Sequence, residues 1–268
     1  MQRTGPGERE GIMVKHPRAI VGTLAGLFAA FVLSACGGDD TSGAQTVPQG
    51  SALPQGSEPV NLEPADFTTR IDNPYWPMAP GSRWVYRETD AEGAELRVEV
   101  TATHKTKRIA NGVEALVVHD LVTEHGQPVE NTFDWYAQDS DGNVWYMGED
   151  TKEYENGKVT STAGSWEAGV DGAQPGVALP ADPQPGLAYR QEYYAGEAED
   201  NGEIVSIDEQ AEVPAGHYKP VLMTKDTTPV EPKVLEFKFY ARGVGPVLEL
   251  TASGGSDRDE LVSFHPGP

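Results

Sequence analysis

Residues 96–103 read Leu-Arg-Val-Glu-Val-Thr-Ala-Thr, so that Leu96, Val98, Val100 and Ala102 alternate with Arg97, Glu99, Thr101 and Thr103. A strict period of two places the apolar set on one face of an extended chain, the pattern of a half-buried antiparallel strand. The alternation recurs further along. Leu235, Phe237 and Phe239 alternate with Glu236, Lys238 and Tyr240, and Val247, Glu249 and Thr251 alternate with Leu248 and Leu250. One apolar face per strand is expected to cover the core. Between such runs stand Asn-Gly at 111–112, 156–157 and 201–202 and Asp-Gly at 141–142 and 171–172. These pairs tolerate the positive φ angles of tight hairpins, although 171–172 falls in a long loop. Gly and Pro interrupt most windows of helical length. The expected fold is all-β, an antiparallel β-sandwich or a curled, barrel-like sheet of about ten to twelve strands with hairpin connections.

The N-terminal segment supplies an address. Lys15 and Arg18 precede an uncharged run from Ala19 to Leu33, which is followed by Ser34, Ala35 and Cys36, the sole cysteine. The run is short for a transmembrane helix, which needs roughly 20 apolar residues, and suits a signal-peptide core. Leu33-Ser34-Ala35-Cys36 resembles a bacterial lipobox at every position. That resemblance implies signal-peptidase recognition of Leu33, Ser34 and Ala35, a diacylglycerol on the Cys36 sulfur and cleavage just before it. Met13 is the expected start, because Glu8 and Glu10 weaken the charge pattern ahead of it. The expected organisation is a signal peptide over 1–35, a lipidated Cys36 with a Gly/Ser/Pro-rich flexible tether to residue 65, and a single β domain over 66–265. Two or more acyl chains on one cysteine would hold the protein at a bacterial envelope membrane, facing away from the cytoplasm. With Cys36 acylated no thiol remains, which excludes disulfides, Cys-ligated zinc and a Cys nucleophile.

The chain carries 42 acidic against 20 basic side chains, a formal charge of −22. Such a field repels phosphate backbones, so nucleic acid is an excluded partner. A cation, a small molecule or an envelope protein is the expected class of ligand.

No Gly-x-Ser-x-Gly, His-Glu-x-x-His or Ser-x-x-Lys motif occurs, and no phosphate-cradling glycine loop precedes a helix. Asp139, Asp141 and Asn143 alternate as in a calcium loop, but glycine stands fourth rather than sixth. These three are the candidate metal residues and Ca²⁺ the one candidate cofactor; a tight hairpin at Asp141-Gly142 explains the run more simply. Trp145, Tyr146, Trp166, Glu167 and Tyr193 are candidate ligand-binding residues, being aromatic or acidic and near the loop 163–186. That loop leaves little room for a strand and reads either as a crossing strap, with Trp166 and Leu179 in the core, or as a binding loop. Acid runs at Glu149–Glu155 and Glu192–Glu203 flank turn pairs and are expected as solvated hairpin tips. A carboxylate pair drawn from Glu149, Glu167 or Glu197 would suit hydrolysis of envelope polymers.

The runs NPYWPMAPGSRWVY (73–86), DWYAQDSDGNVWYMGEDTKEYENGK (134–158), GSWEAGVDGAQPG (164–176), YRQEYYAGEAED (189–200) and FYARGVGPVLEL (239–250) are specific. Together they resemble an uncharacterised family of β-rich bacterial secreted proteins and lipoproteins without an assigned activity. The resemblance spans 72–250 and implies an extracytoplasmic β domain with no catalytic residue carried over. The leading expectation is a membrane-anchored, non-enzymatic binding or structural module, with a hydrolase and a calcium-stabilised module as alternatives.

Overall fold

A computed structural model of the chain describes residues 53–91 and 93–268. The expected signal peptide, Cys36 and the tether as far as residue 52 lie outside the described residues. After a short 3-10 turn at Pro64–Asp66 come β1 (Phe67–Thr68), β2 (Arg83–Thr89), β3 (Glu95–Arg108), β4 (Glu114–Glu124), β5 (Gln127–Asp139) and β6 (Val144–Glu155). Then follow β7 (Lys158–Ser161), β8 (Trp166–Glu167), β9 (Gln174–Leu179), β10 (Ala188–Arg190) and β11 (Glu192–Tyr193). The chain ends with β12 (Asn201–Val213), β13 (Gly216–Thr227), β14 (Leu235–Ala241), β15 (Gly245–Ser253) and β16 (Arg258–His265). The described fold is thus all-β, with sixteen strands. Twelve of these have four or more residues, and the excess over the sequence expectation comes from β1, β8, β10 and β11, each two or three residues long.

Two runs of neighbouring antiparallel strands, β2 to β6 and β12 to β16, are joined side by side where β16 pairs with β2. At the far ends, β10 pairs with β12 and β11 with β9. Only Gln191 separates β10 from β11, so one continuous segment, 188–193, nearly closes the sheet into a barrel. Closure is what removes sheet edges in β folds of this size.

The hairpin turns at 111–112, 141–142 and 156–157 fall between paired strands as expected. Asn156 and Gly157 both have positive φ, 52° and 73°, as a two-residue hairpin turn demands. Asn201-Gly202 is not a turn: both residues begin β12, opposite Thr227 and Asp226. A Cβ on Gly202 would lie 2.7 Å from the Tyr189 ring, so this glycine serves a close approach rather than a bend. On the other flank of segment 188–193, a Cβ on Gly176 would lie 2.3 Å from the Gln191 backbone. The loop 163–186 therefore does contain a strand, β9, whose Pro175-Gly176 reads as a breaker only until its place at the closure is known. Trp166 and Leu179 are buried, as the strap reading has it.

Residues 53–65, tether-like in composition, lie against the barrel. The Arg190 amide donates to the Pro54 carbonyl at 2.7 Å, and the Val60 amide to Gln174 Oε1 at 3.1 Å. Leu53, Val60 and Leu62 pack on the main core, which runs through Trp84, Leu116, Tyr136, Leu179, Ile204, Leu222 and Leu261.

In β14 the burial is the reverse of the expected one. Glu236, Lys238 and Tyr240 are buried, while Leu235, Phe237 and Phe239 are half-buried. The inward face of this strand is polar because Lys238 is registered with Thr224 on one side and Glu249 on the other.

Gly176→Ala should destabilise the barrel by about 2–3 kcal/mol or more, the range for overpacking against immobile atoms. Gly202→Ala should cost less, because the Tyr189 ring it meets can shift. Thermal melting of the two variants checks the order; equal Tm values would contradict the close-packed closure.

Candidate functional site

Residues of β2, β3, β4, β5, β15 and β16 point into the barrel and leave a cavity of about 70 Å³. Trp76, Trp84, Tyr86 and Tyr136 supply aromatic wall, Val98, Val100 and Val118 aliphatic wall, and Asp120, Glu130, Asp134, Glu249 and Asp259 carboxylates. A water needs roughly 10–15 Å³ by this measure, so the space holds about five waters or a small organic group. The register explains the convergence. Asp120 sits opposite Val100 and Thr132, and Asp134 opposite Val118 and Glu149. A second row runs Thr224, Lys238, Glu249, Asp259, Glu88 and Leu96 across six neighbouring strands. The aromatic wall is fixed in place: Trp84 Nε1 donates to the Val244 carbonyl at 2.6 Å, the Tyr86 hydroxyl to the Pro246 carbonyl at 3.0 Å, and Trp76 packs 5.4 Å from Tyr136.

Among the charges that converge here the cation is Lys238, buried, 3.1 Å from Asp226 and 3.9 Å from Glu249. Burial works against its charge, but Glu249 and Asp226 outweigh that and hold its pKa well above the ordinary value. The carboxylates are raised too, which for them favours the neutral form. Burial, then Asp134, Glu130, Glu88 and Glu249, push Asp120 well above the carboxylate range. Burial raises Asp134 to about 7 against the opposing hydrogen bond from Tyr146, and raises Glu249 to about 7 and Glu236 to about 8. Asp259 is raised by burial and by Glu249 and Glu88. Asp120 is only 8% exposed, and its Oδ1 accepts no hydrogen bond.

The residues singled out from sequence fall in several places. Tyr146 is buried beside the cavity, its hydroxyl donating to Asp134 Oδ1 at 2.7 Å and its ring stacked 4.9 Å from Tyr136. Trp166 packs edge-on against Tyr146 at 5.4 Å and donates from Nε1 to Glu192 Oε2 at 2.8 Å. Trp145 lies across the sheet, donating to Asp139 Oδ2 at 2.7 Å, with Phe67 against its ring. Glu167 accepts from the Ala110 amide at 2.8 Å and pairs with Lys107 at 3.0 Å. Tyr193 is half-buried at the barrel closure, opposite Gln174. None of these five lines the cavity.

Asp139 uses both carboxylate oxygens within its own hairpin. Oδ1 accepts the amides of Asp141 and Asn143, and Oδ2 accepts Asn143 Nδ2 and Trp145 Nε1. Asn143 Oδ1 accepts the Ala181 amide at 2.9 Å, tying the hairpin to the strap. The geometry is that of a side-chain-stapled turn. Among the described residues no group of three or more His, Cys, Asp and Glu side chains is arranged to hold a metal ion. The acids considered for hydrolysis are not brought together: Glu149 is buried and faces inward opposite Asp134 and Trp166, Glu167 is registered with Gly148 and pairs with Lys107, and Glu197 is exposed in the turn 194–198. The acid runs expected as solvated tips are split, with Glu149 and Glu192 among the most buried side chains because they sit at inward-facing positions.

The cavity carboxylates escaped the sequence reading, yet a signal was present. Asp120 shares its strand parity with Val118 and Val122, both buried, and Glu249 shares its parity with Val247. An acid on the apolar parity of a strand marks an inward carboxylate.

No family model matches the chain, and no curated protein matches it. Among solved structures, a provisionally named lipoprotein from Parabacteroides distasonis ATCC 8503 is similar over 71% of this chain and 98% of that one, at 12% identity and a TM-score of 0.39. Overlap at that level supports no conclusion about this chain.

The raised carboxylates give stability a definite pH dependence. Their unfolded values lie near 4, whereas Asp134, Glu249 and Glu236 hold protons to about 7–8 when folded. The stabilisation is complete below the unfolded values and is lost as pH rises through the folded ones. Glu99, lowered chiefly by its hydrogen bond from Arg83, acts oppositely and loses its contribution as pH falls below the ordinary carboxylate range. Tm should therefore be higher at pH 5 than at pH 8, by roughly 5 °C if only ~2 kcal/mol of the difference survives. Asp120→Asn should flatten this slope. A Tm that is level or rises between pH 5 and 8 would contradict the buried-acid interior.

Proposed function

We propose that this chain is a lipid-anchored, non-catalytic module of the bacterial envelope that holds a small ligand inside its barrel. The observation that carries the reading is the cavity, with fixed aromatic walls and a buried carboxylate oxygen, Oδ1 of Asp120, that none of the described residues satisfies. Binding sites are concave, largely apolar and provided with a few converging polar groups, which this one matches in kind at a small size. The lipobox at 33–36 supports the anchorage, and the net charge of −22 makes a cation or a neutral molecule the natural occupant. Catalysis has less support, since the acids Glu149, Glu167 and Glu197 share no cleft.

Two measurements test the reading. Cys36→Ala should abolish incorporation of a palmitate analogue and move the protein from the membrane fraction to the soluble one; retention of label would refute the anchor. Val100→Trp, which fills the cavity from β3, should abolish every thermal shift given by compounds of up to about six heavy atoms. A compound that still shifts the Tm of this variant binds elsewhere.

A further inference from the structure

The chemistry of the cavity walls defines what the cavity can take; the inference rests on reading it as a ligand site. Asp120 projects from β4 with Oδ1 unpartnered, and it forms no ion pair with a Lys or Arg among the described residues. Lys238 lies within 4 Å of Asp226 and Glu249, so its charge is committed to the second row rather than to Asp120. The groups facing Asp120 are Asp134 and Glu130 from β5, Glu88 from β2, and Glu249 from β15, with Asp259 of β16 adjoining. An anion would meet the carboxyl groups of Asp120 and of these five, while Lys238 is already shared between Asp226 and Glu249. A neutral ligand would leave that electrostatic strain as it stands. A hard divalent ion needs six to eight oxygens at short range, and the described residues offer no such arrangement. What remains is a bulky, weakly hydrated cation, which aromatic rings such as Trp76, Trp84, Tyr86 and Tyr136 attract through their π faces.

We propose that the barrel cavity is a site for the head of an organic monocation, an alkylammonium group of about five heavy atoms, with Asp120 as its counter-ion and the Trp/Tyr wall around its methyl or methylene groups. Binding lowers the Asp120 pKa from its raised value, so each binding event releases protons and affinity increases with pH.

The experiment uses the full chain in detergent and three probes of similar size: tetramethylammonium, tert-butanol and pivalate. Calorimetry in two buffers of different ionisation enthalpy measures affinity and proton release together. Tetramethylammonium should bind at least tenfold more tightly than either other probe, with proton release, and at least tenfold more tightly at pH 8 than at pH 5. Asp120→Asn should remove the pH dependence and most of the affinity; should that variant not fold, the proton release of the natural chain carries the test alone. Equal binding of tert-butanol or pivalate would overturn the cation assignment while leaving the cavity as a ligand site. Binding of Ca²⁺ in preference to tetramethylammonium would overturn it in favour of a metal site. No binding of any probe would overturn the cavity reading itself.

Discussion

Arg190 is buried, and its guanidinium donates to three backbone carbonyls: Gly56 at 2.8 Å and Glu58 at 2.7 Å through Nη1, and Pro175 at 2.8 Å through Nη2. Its own amide donates to Pro54. Burial lowers its pKa, and the charge is held against that desolvation cost by the nearby Glu58 carboxylate and by charge-assisted hydrogen bonds. This one side chain ties together the N-terminal segment, β9 and the closing segment 188–193. Glycines on both flanks, Gly176 and Gly202, let that segment come close enough to pair. Replacing the arginine would leave the buried Pro175 carbonyl without its donor, a loss of about 1–3 kcal/mol, and would release the part-buried carbonyls of Gly56 and Glu58.

Closure in turn creates the electrostatic character of the interior. A barrel curled this way has an inside face that every strand must supply at alternate positions, and here several of those positions carry acids among the aliphatic and aromatic groups. The result is an interior in which burial raises the carboxyls of Asp120, Asp134, Glu236, Glu249 and Asp259, with Lys238 set between Asp226 and Glu249.

Much of the fold is legible in the sequence. The alternation at 96–103 has its apolar face inward, since Leu96, Val98 and Ala102 are buried, and three of the Asn-Gly and Asp-Gly pairs turn where expected. The misreadings share one physical origin. Period two identifies two faces but not which is inside, so Glu236 and Lys238 were assigned to solvent when the lumen takes them. Gly202 and Pro175-Gly176 resemble turn or breaker signals, because the need for a small residue at a tight strand contact leaves the same residue as a bend does. The site is less legible than the fold, for Asp120 and Asp259 lie far apart in sequence and meet only when β16 pairs with β2, β2 with β3 and β3 with β4.

The carbonyls clamped by Arg190 belong to residues 54–58, immediately downstream of the segment that would lead back to a lipid at Cys36. A chain of seventeen residues spans at most about 60 Å. Tension on such an anchor would arrive first at Pro54, Gly56 and Glu58, and would be borne in parallel by three hydrogen bonds from Arg190, a residue of the segment that closes the barrel. Anchorage and closure would then be mechanically one joint: a displacement of the envelope relative to the domain would load the wall of the lumen before it loads anything else.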